Sequence, residues 1–222
     1  MKRITLALLA LLFGTTGLPT TAQTVAVPNE ATTLQAQNSE LFQRMTRVNA
    51  GLRSYKADLH IDVALKSFLT LTQSLDGNVY YKQPDEQAVV FEVVPALASE
   101  FKKLYARIEP PDRWATIYAF AVLGDQQGIT TYRLEPRKHS RITHLDVKVD
   151  DATATIRGYV WHYEEGGSIA FDQSFTTIDG NYLVNGQVGR VDLPSYKADV
   201  KSSLTNYRLN VAIDNDVFRK SN

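Results

Sequence analysis

The feature that most constrains this chain is a change of hydrophobic period at Gly51. Before it, Leu41, Met45, Val48 and Leu52 recur at spacings of four, three and four, with Phe42 beside them. That is the stripe of an amphipathic helix. Thr32-Thr33-Leu34-Gln35 fits a capping box with Thr32 at the cap, which predicts one helix over 33–50 with Gly51 as its stop. After Gly51 the period falls to two. Tyr55, Ala57, Leu59, Ile61, Val63 and Leu65 alternate with Lys56, Asp58, His60 and Asp62, giving a strand with one dry and one wet face.

Further strand-like runs follow, at about 68–74, Asn78–Gln83, Ala88–Val94, Trp114–Leu123, Ile129–Glu135, Ile142–Val149, Thr153–Tyr163, Ser168–Thr176, Asn181–Val191 and Tyr196–Ile213. Turn chemistry divides them: Asp76-Gly77, Gly124-Asp125, Asp150-Asp151, Gly166-Gly167, Asp179-Gly180-Asn181 and Asn185-Gly186. Hairpin spacing implies antiparallel pairing. Ala96–Ile108 breaks the series with Leu97, Phe101, Leu104, Tyr105 and Ile108 at helical spacing between Pro95 and Pro110-Pro111. The plan is a helix, some three strands, a second helix and about seven strands. A sheet of that width twists and curls, and its apolar face needs a cover. The expected class is mainly β (α+β), a curved antiparallel sheet or half-open β-barrel with two covering helices. Such an interior is either a filled core or a pocket for an apolar ligand, and patterning alone leaves both open.

Met1-Lys2-Arg3, the apolar run Ile4–Phe13, the break at Gly14–Pro19 and the small residues Thr20-Thr21-Ala22 have the layout of a secretory signal peptide. Cleavage is expected after Ala22, with Ala26 as the second choice. The division is then 1–22 signal peptide, 23–31 flexible lead and 32–222 one domain, exported to the periplasm as a soluble monomer. The chain has no cysteine, which removes disulfides, thiolate chemistry, Cys-based metal sites and self-anchoring through a lipidated N-terminal Cys. Lys plus Arg equals Asp plus Glu at 24 each, so the chain lacks the basic excess of a nucleic-acid binder.

No reaction chemistry is legible. Asp58, His60 and Asp62 share one strand face, where alternation demands polar residues in any case. His139 and His144 sit five apart around a loop, and His60 and His162 fall on separate strands, so no metal is expected. Gly166-Gly167 lacks the following helix of a phosphate loop, and no G-x-S-x-G turn occurs. The expectation is no enzyme and no cofactor. Arg137-Lys138-His139-Ser140-Arg141 reads as a solvated basic connection, with anionic headgroups or an acidic partner surface as the alternative. Trp114, Tyr118, Phe120, Tyr159, Trp161, Tyr163, Phe171 and Phe175 lie at strand parity and read as cross-strand packing.

Gly77-Asn78-Val79-Tyr80-Tyr81-Lys82-Gln83-Pro84 resembles the glycine–aromatic–Lys–x–Pro strand of the LolA-like periplasmic lipoprotein carriers. Tyr132-Arg133-Leu134-Glu135-Pro136 is similar to a second strand of that family, and Tyr207–Phe218 to its closing strand. By layout the resemblance covers about residues 35–218. It implies a helical lid over an apolar cavity that takes the acyl chains of a lipoprotein or another lipid, with a membrane donor or acceptor protein as partner. Under it the cavity is lined by Leu59, Ile61, Val63, Val79, Tyr81 and Phe91, with Phe101 and Leu104 as lid and Gly77, Lys82, Gln83 and Pro84 as the motif. The sequence departs at Gln83, where the family's lipoprotein carrier has an Arg that bonds to the lid. An amide cannot make the bidentate, charge-assisted bonds of a guanidinium, so lid locking of that kind is not expected here. The rival reading is a non-catalytic structural or regulatory interaction module of the same fold with a filled interior.

Overall fold

The computed structural model describes residues 26–66, 70–92 and 108–220. The leader 1–22 and the expected helix through Phe101 and Leu104 lie outside them. The N-terminal helical region comes as two helices, not one: α1 (Glu30–Gln37) and α2 (Glu40–Met45). The capping box is present but sits three residues earlier than expected. The Thr32 N–H donates to Asn29 Oδ1 at 3.0 Å and the Asn29 N–H donates to Thr32 Oγ1 at 2.8 Å. Asn is the stronger cap, so Thr32 becomes its partner inside the first turn. Asn38 ends α1, and Ser39 starts α2 by accepting the Phe42 N–H at 3.2 Å.

The break lets each helix bury a different face. On α1, Thr33 and Ala36 are buried. Thr33 Oγ1 accepts the Phe120 N–H at 2.8 Å and also lies 3.3 Å from the Phe120 carbonyl. On α2, Phe42 and Met45 are buried in the hydrophobic core.

Ten strands form one antiparallel sheet in the order β3-β2-β1-β10-β9-β8-β7-β6-β5-β4. They are β1 (Ser54–Lys66), β2 (Thr70–Lys82), β3 (Glu86–Phe91), β4 (Tyr118–Gln126), β5 (Ile129–Pro136), β6 (Ile142–Asp150), β7 (Thr155–Tyr163), β8 (Ser168–Ile178), β9 (Asn181–Asp192) and β10 (Lys197–Leu209). β10 pairs with β1 and thereby joins the first three strands to the last seven. The edges β3 and β4 stay apart, so the sheet is a half-open barrel as expected. Edge strands expose unpaired backbone groups, and Thr33 blunts one of them by bonding to β4.

Several expected boundaries are corrected. The two runs at 68–74 and 78–83 are one strand, β2, and Asp76-Gly77 lies inside it because both residues pair with β1, Asp76 with His60 and Gly77 with Leu59. Gly124-Asp125 lies within β4 at a bulge, and the turn is Gln127-Gly128. Asn185-Gly186 lies within β9, where Asn185 is the extra residue of a bulge opposite Ser174 and Phe175 of β8. The run from Trp114 begins as α3 (Trp114–Ile117), following a 3-10 turn at Pro111–Arg113. Pro111 at the start of that turn presets the helical φ, and Trp114 Nε1 donates back to the Glu109 carbonyl at 2.7 Å. The last strand stops at Leu209, and a short helix α4 (Asn215–Lys220) follows.

Candidate functional site

One face of the sheet carries the hydrophobic core, but it is filled unevenly. Above β4–β7, α2 and α3 insert Phe42 and Trp114 onto Phe120 and Tyr132. The Phe42 and Phe120 rings stack at 5.3 Å, and Trp114 meets Phe120 edge-on at 5.9 Å. Trp114, Phe120, Tyr132 and Leu134 are wholly buried. This half is core, as the packing reading of the strand aromatics expected.

The other half holds a trough. A hollow of about 440 Å³ runs between the end of α2 and the sheet, bounded by Met45, Val48, Leu52, Tyr55, Tyr81 and Phe175. A second of about 220 Å³ shares Tyr55, Gln87, Ile156, Gln173 and Val184 with it and continues to Tyr159, Gln187 and Leu204. Strand pairing builds the floor: Tyr55 stacks on its cross-strand partner Tyr81 at 5.3 Å and meets Tyr207 edge-on at 5.4 Å.

The floor is not uniformly apolar. Gln173, Gln187 and Ser202 follow one another across β8, β9 and β10. Gln187 is only 7% exposed, with its Nε2 at 3.5 Å from the Tyr159 hydroxyl and its Oε1 accepting from Ser202 Oγ at 3.3 Å. Sequence reasoning missed this amide belt. Its signal was there in the parity of Phe171, Gln173 and Phe175, which puts a glutamine in register with ring side chains.

Of the expected cavity residues, Tyr81 borders the trough. Leu59, Ile61, Val63 and Val79 are buried in the core cluster, and Phe91 packs against it half-buried. Gly77 sits beneath Phe91, where a Cβ would come within 2.5 Å of the Val90 carbonyl oxygen, so the motif glycine permits close approach of β3. Lys82 turns elsewhere, pairing with Glu86 at 3.8 Å and donating to Asn215 on α4. Gln83 and Pro84 line the trough, and the Gln83 N–H donates to the Arg53 carbonyl at 2.8 Å.

The polar residues of β1 are tied into exposed pairs on the opposite face. Asp58 accepts from Asn206 at 2.8 Å, Asp62 accepts from Ser74 at 2.5 Å, and His60 Nδ1 lies 2.7 Å from Asp76 Oδ1. The Asp76 bond, with Asp62 beside it, raises the His60 imidazole above its ordinary pKa. The basic connection is tied down as well: Arg137 pairs with Glu30 of α1, and Arg141 with Glu165 at 2.6 Å. A different histidine pairing emerges across the β6–β7 hairpin. His144, Asp146 and His162 converge with one potential ligand atom each, all within 4.8 Å of one another. In the sequence His144 lies five residues from His139 around a loop and His162 falls on a separate strand from His60, and which strands become neighbours is not stated there.

No protein-family model matches the sequence, and no curated protein matches it either. Solved structures do resemble it. A DUF1329 family protein from Desulfovibrio piger superposes with a TM-score of 0.57 at 13% identity, over 81% of this chain and 94% of that one. A domain from Vibrio parahaemolyticus, described as an outer membrane lipoprotein-sorting protein domain, superposes with a TM-score of 0.58 at 14% identity, over 82% and 95%. The chain shares the fold of these two structures. At these identities the likeness is one of fold. Among the described residues no helix is long and apolar enough to cross a membrane.

Proposed function

We propose that the protein is an exported, soluble, non-catalytic carrier. In this reading it shelters an acyl chain, of a lipoprotein or a free lipid, in the trough and hands it to an acceptor at the outer envelope. The observation that carries the reading is the uneven filling of the interior: one half is packed solid around Phe42 and Trp114, while the other keeps joined hollows of about 440 and 220 Å³. Ligand pockets run to about 300–1,000 Å³. Each methylene taken from water into such a space contributes about 0.8 kcal/mol, so a carrier gains affinity from dry area with few polar contacts. Tyr55, Tyr81, Val184 and Leu204 supply that area, and the Gln173–Gln187 belt supplies hydrogen bonds for the ligand's carbonyl or ester end. The Vibrio relative's description as a lipoprotein-sorting domain supports the same class. Phe101 and Leu104 act as the cover in this reading.

The test is mass spectrometry of organic extracts from protein purified out of an exporting host, together with uptake of a fluorescent fatty acid. A stoichiometric acyl species is expected, and it should disappear when Val184→Asp puts a carboxylate into the trough. Preparations that are repeatedly empty and take up no fatty acid would favour the interaction-module reading.

A further inference from the structure

The two faces of the sheet do different work, and the face away from the trough holds a second constellation. β6 carries a bulge at Thr143: Ile142 pairs with Tyr163 and His144 pairs with His162, which leaves Thr143 as the extra residue. Bulges re-aim side chains, and here the His144 and His162 rings stack at 4.2 Å with only 13° between their planes. Asp146, two residues along the same face, brings its Oδ2 to 4.0 Å from His144 Nε2 and 3.6 Å from His162 Nε2. Neither distance is that of a hydrogen bond.

Thr143 fixes what those nitrogens carry. Its hydroxyl has one proton, and Oγ1 lies 3.1 Å from both the His162 carbonyl and His144 Nδ1. A carbonyl can only accept, so satisfying both contacts requires the hydroxyl to donate to it. His144 Nδ1 must then carry the ring proton and donate to Thr143. In the neutral ring this leaves the Nε2 lone pair facing a carboxylate oxygen. His162 Nε2 lies beside the same oxygen, so three potential ligand atoms converge within 4.8 Å of one another.

We propose that His144, Asp146 and His162 form a surface binding site for a divalent transition metal of the zinc–copper class, with Thr143 and Arg133 as positioning residues. Two imidazoles and one carboxylate are the donor set such ions favour, at bond lengths of about 2.0–2.2 Å that small side-chain rotations bring within reach. Arg133 clamps Asp146 from the far side, Nε to Oδ1 at 2.8 Å and Nη2 to Oδ2 at 2.9 Å. This bidentate pair holds the carboxylate still and offsets its charge. Hard ions that depend on anionic oxygen, such as calcium and magnesium, are therefore disfavoured relative to ions that bond to imidazole. All three side chains are partly exposed, so an ion has access and keeps room for a water ligand.

The experiment is calorimetric titration of the full chain, purified without a polyhistidine tag, with zinc, copper(II), calcium and magnesium salts, alongside metal-dependent thermal shifts. One equivalent of zinc or copper should bind and raise the melting temperature, with calcium and magnesium inert. His144→Gln and His162→Gln should each remove this binding, while His60→Gln leaves it intact. Thr143→Val frees the tautomer and should weaken binding by about tenfold or more with an unchanged melting temperature in the metal-free protein. Far-UV circular dichroism of each metal-free variant establishes that it is folded. Failure of the wild-type chain to bind either metal one-to-one, or persistence of binding in the folded His144→Gln/His162→Gln double variant, overturns the proposal.

Discussion

Tyr132 shows how far a single side chain can be read. Its ring is wholly buried in the aromatic cluster beneath α2, and its hydroxyl makes no close hydrogen bond among the described residues, with the Ser39 side chain only a weak counterweight to its burial. Burial pushes the phenol above its ordinary pKa. An unsatisfied buried hydroxyl costs about 1–3 kcal/mol, whereas the ring contributes through packing alone. Tyr132→Phe should therefore raise stability by about 1 kcal/mol, which in a chain of this size is a rise of about 2–4 °C in the melting temperature. A fall on thermal denaturation would mean that the hydroxyl is bonded in solution. His60 supports a second prediction. Asp76 and Asp62 favour its protonated form in the folded chain, so its contribution is complete below the unfolded imidazole value of about 6.5 and fades as pH rises through the higher folded value. Asp62 is depressed by Ser74 and His60, so its contribution is complete above the unfolded carboxylate value and fades as pH falls through the folded one. Imidazole NMR titration should place His60 above the ordinary value, and His60→Gln should flatten the decline in urea midpoint on the alkaline side.

At the scale of elements, period decided what was legible. The alternation from Tyr55 to Leu65 is a strand of that register, and the plan of three strands followed by seven holds. Boundaries failed where two signals competed. Asp76-Gly77 is a strong turn pair, but Gly77 is needed where β3 crosses closely, and pairing with β1 on one side and β3 on the other overrides the local preference. The N-terminal stripe reads as one helix because Phe42, Met45 and Val48 continue its period. Ser39 interrupts it, accepting the Phe42 N–H and donating to the Ala36 carbonyl at 2.7 Å. Ser39→Ala removes the cap of α2 and should cost about 1 kcal/mol in urea denaturation. No loss would mean that a continuous helix replaces the pair. The candidate sites were less legible for a related reason. The amide belt and the His144–Asp146–His162 group are both assembled across strands, and a single sequence states the parity of each strand but not its neighbours.

For the whole molecule, what matters is where the bulk sits. A half-open barrel has one concave interior, and two helices with a handful of aromatic rings can fill only part of it. Here the fill is concentrated above β4–β7, where Phe42, Trp114, Phe120 and Tyr132 interlock, and this anchors the N-terminal helices to a rigid floor. The trough on the other side is bounded by Leu52 and the turn after α2, and by Pro110 and Pro111 at the exit of the segment holding Phe101 and Leu104. With that segment as the proposed cover, Phe101→Asp and Leu104→Asp should abolish fatty-acid uptake while circular dichroism still shows an intact sheet, since these residues lie between β3 and α3 in the chain. Trp114→Ala should do the reverse. It costs about 3–5 kcal/mol through the cavity it leaves, yet the protein that remains folded should still take up ligand, because the indole belongs to the packed half and does not line the trough. Uptake measured per folded molecule separates the two: a loss in Trp114→Ala equal to that in Phe101→Asp would mean that the halves are coupled and that the carrier works as one closing shell.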